Sequence, residues 1–181
     1  MKRNILILVM LLCSLPALKA QTQDLTMEML KQAKDMSALF LAKDYEGFSK
    51  YTHPNVVKNM GGNKKMIATL KTSFKEIEDQ GVVFTAINFA TPSKMIAVGD
   101  EIQCTLPQMI EMKVPGGTLT ANTTLIALSP DKGANWYFID TAGNNLVNMQ
   151  QLVPTLSNEL VIPPPTDASF EADPVPTETK P

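Results

Sequence analysis

The stretch that most constrains the fold runs from Glu101 to Asp140, and it predicts three consecutive antiparallel strands. From Ile102 to Val114 every second residue belongs to one mostly apolar set: Ile102, Cys104, Leu106, Gln108, Ile110, Met112 and Val114. Successive side chains of a strand point to opposite faces, so this set is predicted to line a buried face. The alternate residues are predicted to face water or a partner. Gln108 is the polar residue of the buried row.

Turn motifs join these strands. Pro115-Gly116-Gly117 predicts a hairpin, because glycine readily adopts the positive φ angles of tight turns. Residues 129–136 have the spacing S-x-D-x-G-x-x-W, which resembles the Asp box of sialidase-like propellers. The motif occurs once, and the chain is too short for a propeller. We therefore interpret it as a hairpin device with no glycosidase chemistry.

Helical patterns precede this sheet region. An apolar stripe at spacings of three and four predicts a helix from about Thr26 to Ala42. A short helix capped by Asp44 and a longer helix from Lys64 to about Gln80 follow, and Gly81 ends the latter. Two shorter strands, 82–89 and 95–98, are predicted before the long central one. Helices first and strands afterwards indicate an α+β fold.

The two ends of the chain differ from its middle. Residues 1–20 predict a secretory signal peptide, with Lys2-Arg3 before an apolar run and a small residue, Ala20, at the cleavage site. The apolar run is too short for a membrane anchor. Residues 21–162 are predicted to form a single α+β domain, and 163–181 a disordered, Pro-rich acidic tail. The protein is therefore predicted to be exported, either to the periplasm or out of the cell.

Composition argues against several functions. The chain has 18 acidic and 16 basic residues, and three of the basic ones (Lys2, Arg3 and Lys19) lie in the predicted signal peptide. Since Arg3 is the only arginine, nucleic acids and polyphosphates are poor ligands. After the predicted cleavage, Cys104 is the only cysteine and His53 the only histidine. We therefore predict no metal site and no cofactor, and we interpret Cys104 as a core residue.

The layout resembles the nuclear-transport-factor-2-like superfamily, a cone-shaped fold in which helices close over a curved sheet. The residues that carry the resemblance are the helix end at 40–45, Phe48, the break at 51–54 and the strand at 136–140. The resemblance implies N-terminal helices packed over a strongly curved antiparallel sheet of 4–6 strands.

The superfamily includes isomerases, dehydratases and cyclases that act on apolar small molecules, and also non-catalytic domains that dimerise or bind ligands. The fold alone therefore does not select a function. The enzymes place an Asp or His in an apolar cavity, which makes Asp140 and His53 the catalytic candidates. The candidate ligand-binding residues are Tyr45, Tyr51, Gln108, Trp136 and Phe138.

The polar candidates also have purely structural interpretations. Asp140 would bond loop amides near Gly143, His53 would cap a helix, and Gln108 would pair with Asn122 across the sheet.

We predict a non-catalytic domain that binds a small apolar molecule or a peptide in the cone. It could also self-associate as a homodimer through a sheet face with these residues: Met109, Ile126, Tyr137 and Ile139. The alternative is an isomerase or dehydratase with Asp140 or His53 as general base.

Overall fold

The computed structural model describes residues 14–174, with side chains described from Asp24 onward. Most of the predicted signal peptide (1–13) and the end of the predicted tail (175–181) lie outside the described residues. The helices are α1 (Ser14–Leu41), α2 (Tyr45–Ser49), α3 (Pro54–Asn59), α4 (Asn63–Asp79) and α5 (Leu146–Leu152). The strands are β1 (Val83–Phe89), β2 (Ile96–Val98), β3 (Glu101–Val114), β4 (Gly117–Ser129), β5 (Tyr137–Asp140) and β6 (Ser169–Ala172).

The strands form one antiparallel sheet that is not closed, in the order β1-β3-β4-β5. β2 also pairs with β3, and β6 pairs with β4, which gives six strands in all. The long hairpin of β3 and β4 is paired along its whole length, from Ile102 opposite Ser129 to Val114 opposite Gly117. The predicted α+β fold class, with N-terminal helices and an antiparallel sheet, is confirmed.

Local sequence signals set the helix ends. Asp44 caps α2 by accepting a hydrogen bond from the Gly47 amide at 2.8 Å. His53 caps α3 through its Nδ1 atom, which accepts from the Asn55 amide at 3.2 Å. Gly81 follows α4 with a φ angle of +81°, as predicted for a glycine stop.

An inner core lies between the helices and one face of the sheet. Its buried members are Met29, Ala33, Met36, Cys104, Leu106, Leu125, Ala127, Trp136 and Phe138. The predicted Asp-box hairpin anchors this core: Asp131 Oδ1 accepts from the Asn135 amide at 2.9 Å, and Gly133 has a φ of +103°. Trp136 Nε1 donates to the Gly133 carbonyl at 3.0 Å, and its side chain is 1% exposed.

An outer core covers the opposite face of the sheet. Its buried members are Ile126, Leu128, Ile139, Met149, Val153, Leu156 and Leu160. The prediction that the alternate residues of β3 face water or a partner is therefore wrong for Gln103 and Thr105, both of which are buried. For Gln103 the reason is the segment after α5: its side chain donates to the Thr155 carbonyl at 2.9 Å and accepts from the Ser157 amide at 2.8 Å. Thr105 lies beside the loop before β2, where its amide donates to Ser93 Oγ at 2.9 Å.

The outer core also bears on the predicted homodimer face. Ile126 and Ile139 are covered within the chain itself, with 0% and 5% exposure. Of the four residues proposed for that face, Met109 and Tyr137 retain partial exposure. The homodimer therefore stays a prediction, and the exposed apolar surface available for its interface is smaller than the sequence indicated.

The predicted disordered tail is wrong for residues 169–172, which form β6. This strand pairs with Gly117–Thr120, on the edge of β4 that β5 leaves uncovered. A free strand edge offers unpaired backbone donors and acceptors, which is the physical reason an exposed segment is held there. Gly117 leaves room for the ring of Phe170, which would lie 2.6 Å from a Cβ atom at that position.

Candidate functional site

The site is a cavity of about 300 Å³ between α1, α2, α4 and the inner face of the sheet. We call it the phenylalanine cavity, and its lining residues are Met36, Ser37, Phe40, Phe48, Leu70, Phe74, Phe84, Ile87, Gln108, Ile110, Leu125, Phe138 and Asp140. Most of these side chains are apolar, and the polar ones include Gln108 and Asp140.

Aromatic rings from four elements build the wall. The Phe40 ring at the end of α1 lies 5.6 Å from Phe48 on α2, 4.8 Å from Phe74 on α4 and 5.3 Å from Phe84 on β1. The contacts with Phe74 and Phe84 are edge-to-face, a geometry that adds about 0.5–1.5 kcal/mol per pair. The rings therefore hold one another in place around the open space.

The polar end of the cavity is a hydrogen-bonded group on β3, β4 and β5. Gln108 Nε2 donates to Thr123 Oγ1 at 2.8 Å and to Asp140 Oδ2 at 3.0 Å. The Thr123 hydroxyl lies 3.4 Å from the same Asp140 oxygen. The predicted pairing of Gln108 with Asn122 is wrong, because the register sets Thr123 opposite Gln108 and Asn122 opposite Met109.

Asp140 combines a structural contact with a place at the cavity. Its Oδ1 accepts from the Ala142 amide at 2.7 Å, close to the predicted contact with the loop near Gly143. The residue remains accessible to solvent, yet the protein atoms around its carboxyl displace part of its hydration. This desolvation raises the pKa of Asp140, and the hydrogen bonds from Ala142, Thr123 and Gln108 act in the opposite direction.

The structure brings three of the predicted site residues to the cavity: Gln108, Phe138 and Asp140. Tyr45 does not line it but stacks on Phe74 at 5.8 Å, behind the aromatic wall. Its prediction as a ligand-binding residue is therefore unsupported by its position, although it positions Phe74.

The other candidates lie elsewhere. Trp136 is fully enclosed in the inner core, and Tyr51 packs against that core beside a separate surface groove. His53 caps α3, and the centroid of its ring lies 6.1 Å from that of the Tyr137 ring. It is not among the residues that line the cavity. Burial lowers the pKa of His53. Of the two catalytic candidates, only Asp140 lines the phenylalanine cavity.

Cys104 is a core residue, as predicted. Its side chain has no exposed surface, and burial raises the pKa of its thiol to about 12. The thiolate is the nucleophilic form of cysteine, so Cys104 is inert near neutral pH.

Sequence reasoning did not identify the aromatic wall. Phe40, Phe48 and Phe74 occur in the predicted apolar stripes of helices, where periodicity marks a residue as inward-facing. The same periodicity does not distinguish a side chain that fills the core from one that borders an empty space. The available signal was that each of the three predicted helices carries one phenylalanine on its apolar face.

No family model, curated protein or solved structure matches this chain. The resemblance to the nuclear-transport-factor-2-like superfamily accordingly stays a prediction. Within residues 14–174, no helix combines the length and apolar character needed to cross a bilayer. The described residues also contain no group of His, Cys, Asp and Glu side chains arranged to hold a metal ion.

Proposed function

We propose that this protein binds a small, largely apolar molecule in the phenylalanine cavity without transforming it. The observation behind the proposal is the combination of about 300 Å³ of space, an aromatic wall and one polar end formed by Gln108 and Asp140. Small-molecule sites are typically apolar hollows with a few well-placed polar groups that orient the ligand.

The size of the cavity supports a ligand of about one ring with a short substituent. An engineered apolar cavity of about 150 Å³ binds benzene, and the phenylalanine cavity is about 300 Å³. Its volume is at the lower end of the range for ligand pockets, about 300–1,000 Å³. A long peptide does not fit this space, so we favour the small-molecule form of the binding hypothesis.

Native mass spectrometry of the protein purified from its host tests this proposal. A mass above that of the chain, lost under denaturing conditions, is the expected result. The matched control is Ser37→Leu, because Ser37 is buried and lines the cavity. This variant should carry no extra mass. Wild-type protein without extra mass that also fails to bind added phenylethanol would contradict the proposal.

One observation favours catalysis as a second candidate function. Asp140 lines an apolar cavity and has a raised pKa, which are properties of a general base that removes a proton from carbon. We propose as the alternative that Asp140 takes a proton from a carbon next to a carbonyl group, as in an isomerase or dehydratase.

The alternative is tested with a one-ring ketone, phenylacetone, in heavy water. A general base at Asp140 would speed the exchange of the hydrogens next to the carbonyl for deuterium, and Asp140→Asn would remove the effect. Equal exchange with wild-type protein and with Asp140→Asn would reject catalysis of this kind. That result would leave the binding proposal intact.

We further propose that binding takes place outside the cytoplasm, in the periplasm or beyond the cell. The support is the sequence of residues 1–20, with its charged start, apolar run and small residue before the cut. Amino-terminal sequencing of the mature protein should begin at Gln21. A mature chain that begins at Met1 would contradict export by this route.

A further inference from the structure

Resting on the proposed binding function, we infer that the preferred ligand is an aromatic amine in its cationic form. The ammonium group would pair with Asp140, and the ring would lie among the phenylalanine side chains. Three features of the cavity support this inference: the charge of its lining, the free acceptor capacity of Asp140 and the aromatic wall.

The charge at the cavity is negative and uncompensated. Among the described residues that line it, Asp140 is the only ionisable one. No ion pair among the described residues involves Asp140, and its pKa is not moved by any neighbouring charge. A carboxylate with no cation beside it attracts a cationic ligand, and the protein atoms around Asp140 strengthen this attraction by displacing part of the surrounding water.

Asp140 has room for another donor. A carboxylate offers about four lone-pair sites on two oxygens. Oδ2 faces Gln108 Nε2 and the Thr123 hydroxyl, whereas Oδ1 accepts from the Ala142 amide. At least one site therefore remains on Oδ1. All three present donors are neutral, so a charged N–H donor would make the strongest bond to this group.

The aromatic wall favours the same class of ligand. Side chains two apart on a strand share a face, so Phe138 lies beside Asp140 on β5. The faces of aromatic rings carry negative charge and attract cations. The ring faces and the Asp140 carboxylate would both repel an anion. It would have no Lys, Arg or His among the described lining residues to bind.

Calorimetric titration near neutral pH tests the inference. The three ligands share a phenyl ring and differ in the charge of the end group: phenylethylamine is cationic, phenylethanol is neutral and phenylpropanoate is anionic. The amine should bind wild-type protein about tenfold or more tightly than the alcohol, as a charged hydrogen bond implies. The propanoate should bind most weakly. Asp140→Asn should bind the amine no more tightly than the alcohol, and cooperative thermal unfolding reports that the variant is folded.

The outcomes separate the inference from the proposed function. If the alcohol binds wild-type protein as tightly as the amine, binding in the cavity stands and the inference is overturned. If none of the three binds, both fail. Should Asp140→Asn not fold, the ratio of amine to alcohol affinity in wild-type protein decides alone. A preference for the amine that persists in folded Asp140→Asn would also overturn the inference, because it would not come from the carboxylate.

Discussion

Filling the phenylalanine cavity should stabilise the protein and abolish ligand binding together. Ser37 is suited to this test, since its side chain is 6% exposed and lines the cavity. Its hydroxyl donates to the Lys34 carbonyl at 2.9 Å, a contact within α1 itself. Replacing Ser37 therefore leaves no partner on another element without a hydrogen bond.

The magnitude follows from comparing Ser37→Leu with Ser37→Ala. Leucine adds three carbon atoms over alanine, and burial of each stabilises by about 0.8 kcal/mol, so a gain of about 2 kcal/mol is expected. For a chain of this size that corresponds to a rise in Tm of about 4–8 °C. Urea unfolding measures the free energy, and titration with phenylethanol measures the lost affinity.

Ala38→Leu provides the matched control, because Ala38 is exposed on the same helix. It should change stability by less than about 0.5 kcal/mol and leave binding unaltered. The reasoning would be refuted if Ser37→Leu were less stable than Ser37→Ala. Overpacking of a filled core costs about 1–3 kcal/mol, so a lower stability of Ser37→Leu than of Ser37→Ala would mean that no space exists at Ser37.

Three further predictions follow from the structure. The pKa of Asp140 is raised above its ordinary value of 3.8, so the stability that its protonated form contributes is complete below that pH and is lost as pH rises through the folded value. Urea unfolding at a series of pH values should show wild-type protein losing stability relative to Asp140→Asn over this interval, and a difference independent of pH would contradict this. Gly117→Ala should detach β6, because its Cβ atom would collide with the Glu171 backbone and the Phe170 ring. Hydrogen exchange should then rise at residues 169–172 while the free energy of global unfolding changes little, and unchanged exchange there would refute the contact. Cys104 should not react with a thiol reagent until the protein unfolds, given its burial and a thiol pKa of about 12. Rapid labelling of folded protein would show that it is exposed.

Much of the sheet was predictable from local patterns. The alternation from Ile102 to Val114 and the Pro115-Gly116-Gly117 turn predicted the β3–β4 hairpin, which forms as expected. Backbone constraints act locally, so the glycine at the end of α4 and the Asp-box turn were predictable as well. These features depend on residues close together in the sequence.

Features set by distant residues were not predictable in the same way. Gln103 and Thr105 are polar and alternate with the apolar row, so the pattern predicts that they face water, yet both are buried. Gln103 is covered by the segment after α5, which is distant in the sequence. Gln108 was matched with Asn122, whereas one step in register brings Thr123 opposite it. A register is fixed by the whole hairpin, and a single residue does not reveal it.

Part of the candidate site was predictable from the alternation of side chains along the strands. Gln108 lies on β3, and Phe138 and Asp140 lie on β5, the two strands that flank β4. All three line the cavity, so alternation along the strands could group them. Tyr45, Tyr51 and Trp136 were predicted from residue type, and packing gives them other roles. The empty volume itself depends on how four elements meet, which no sequence pattern specifies.

The central claim is that the phenylalanine cavity takes up a small apolar ligand. Methionine methyl NMR tests it most directly, because Met36 lines the cavity and Met149 lies in the outer core on the opposite face of the sheet. Titration with phenylethanol should move the Met36 methyl signal and leave the Met149 signal in place. A Met36 signal that stays unmoved at the highest ligand concentration, or equal movement of both signals, would contradict the claim.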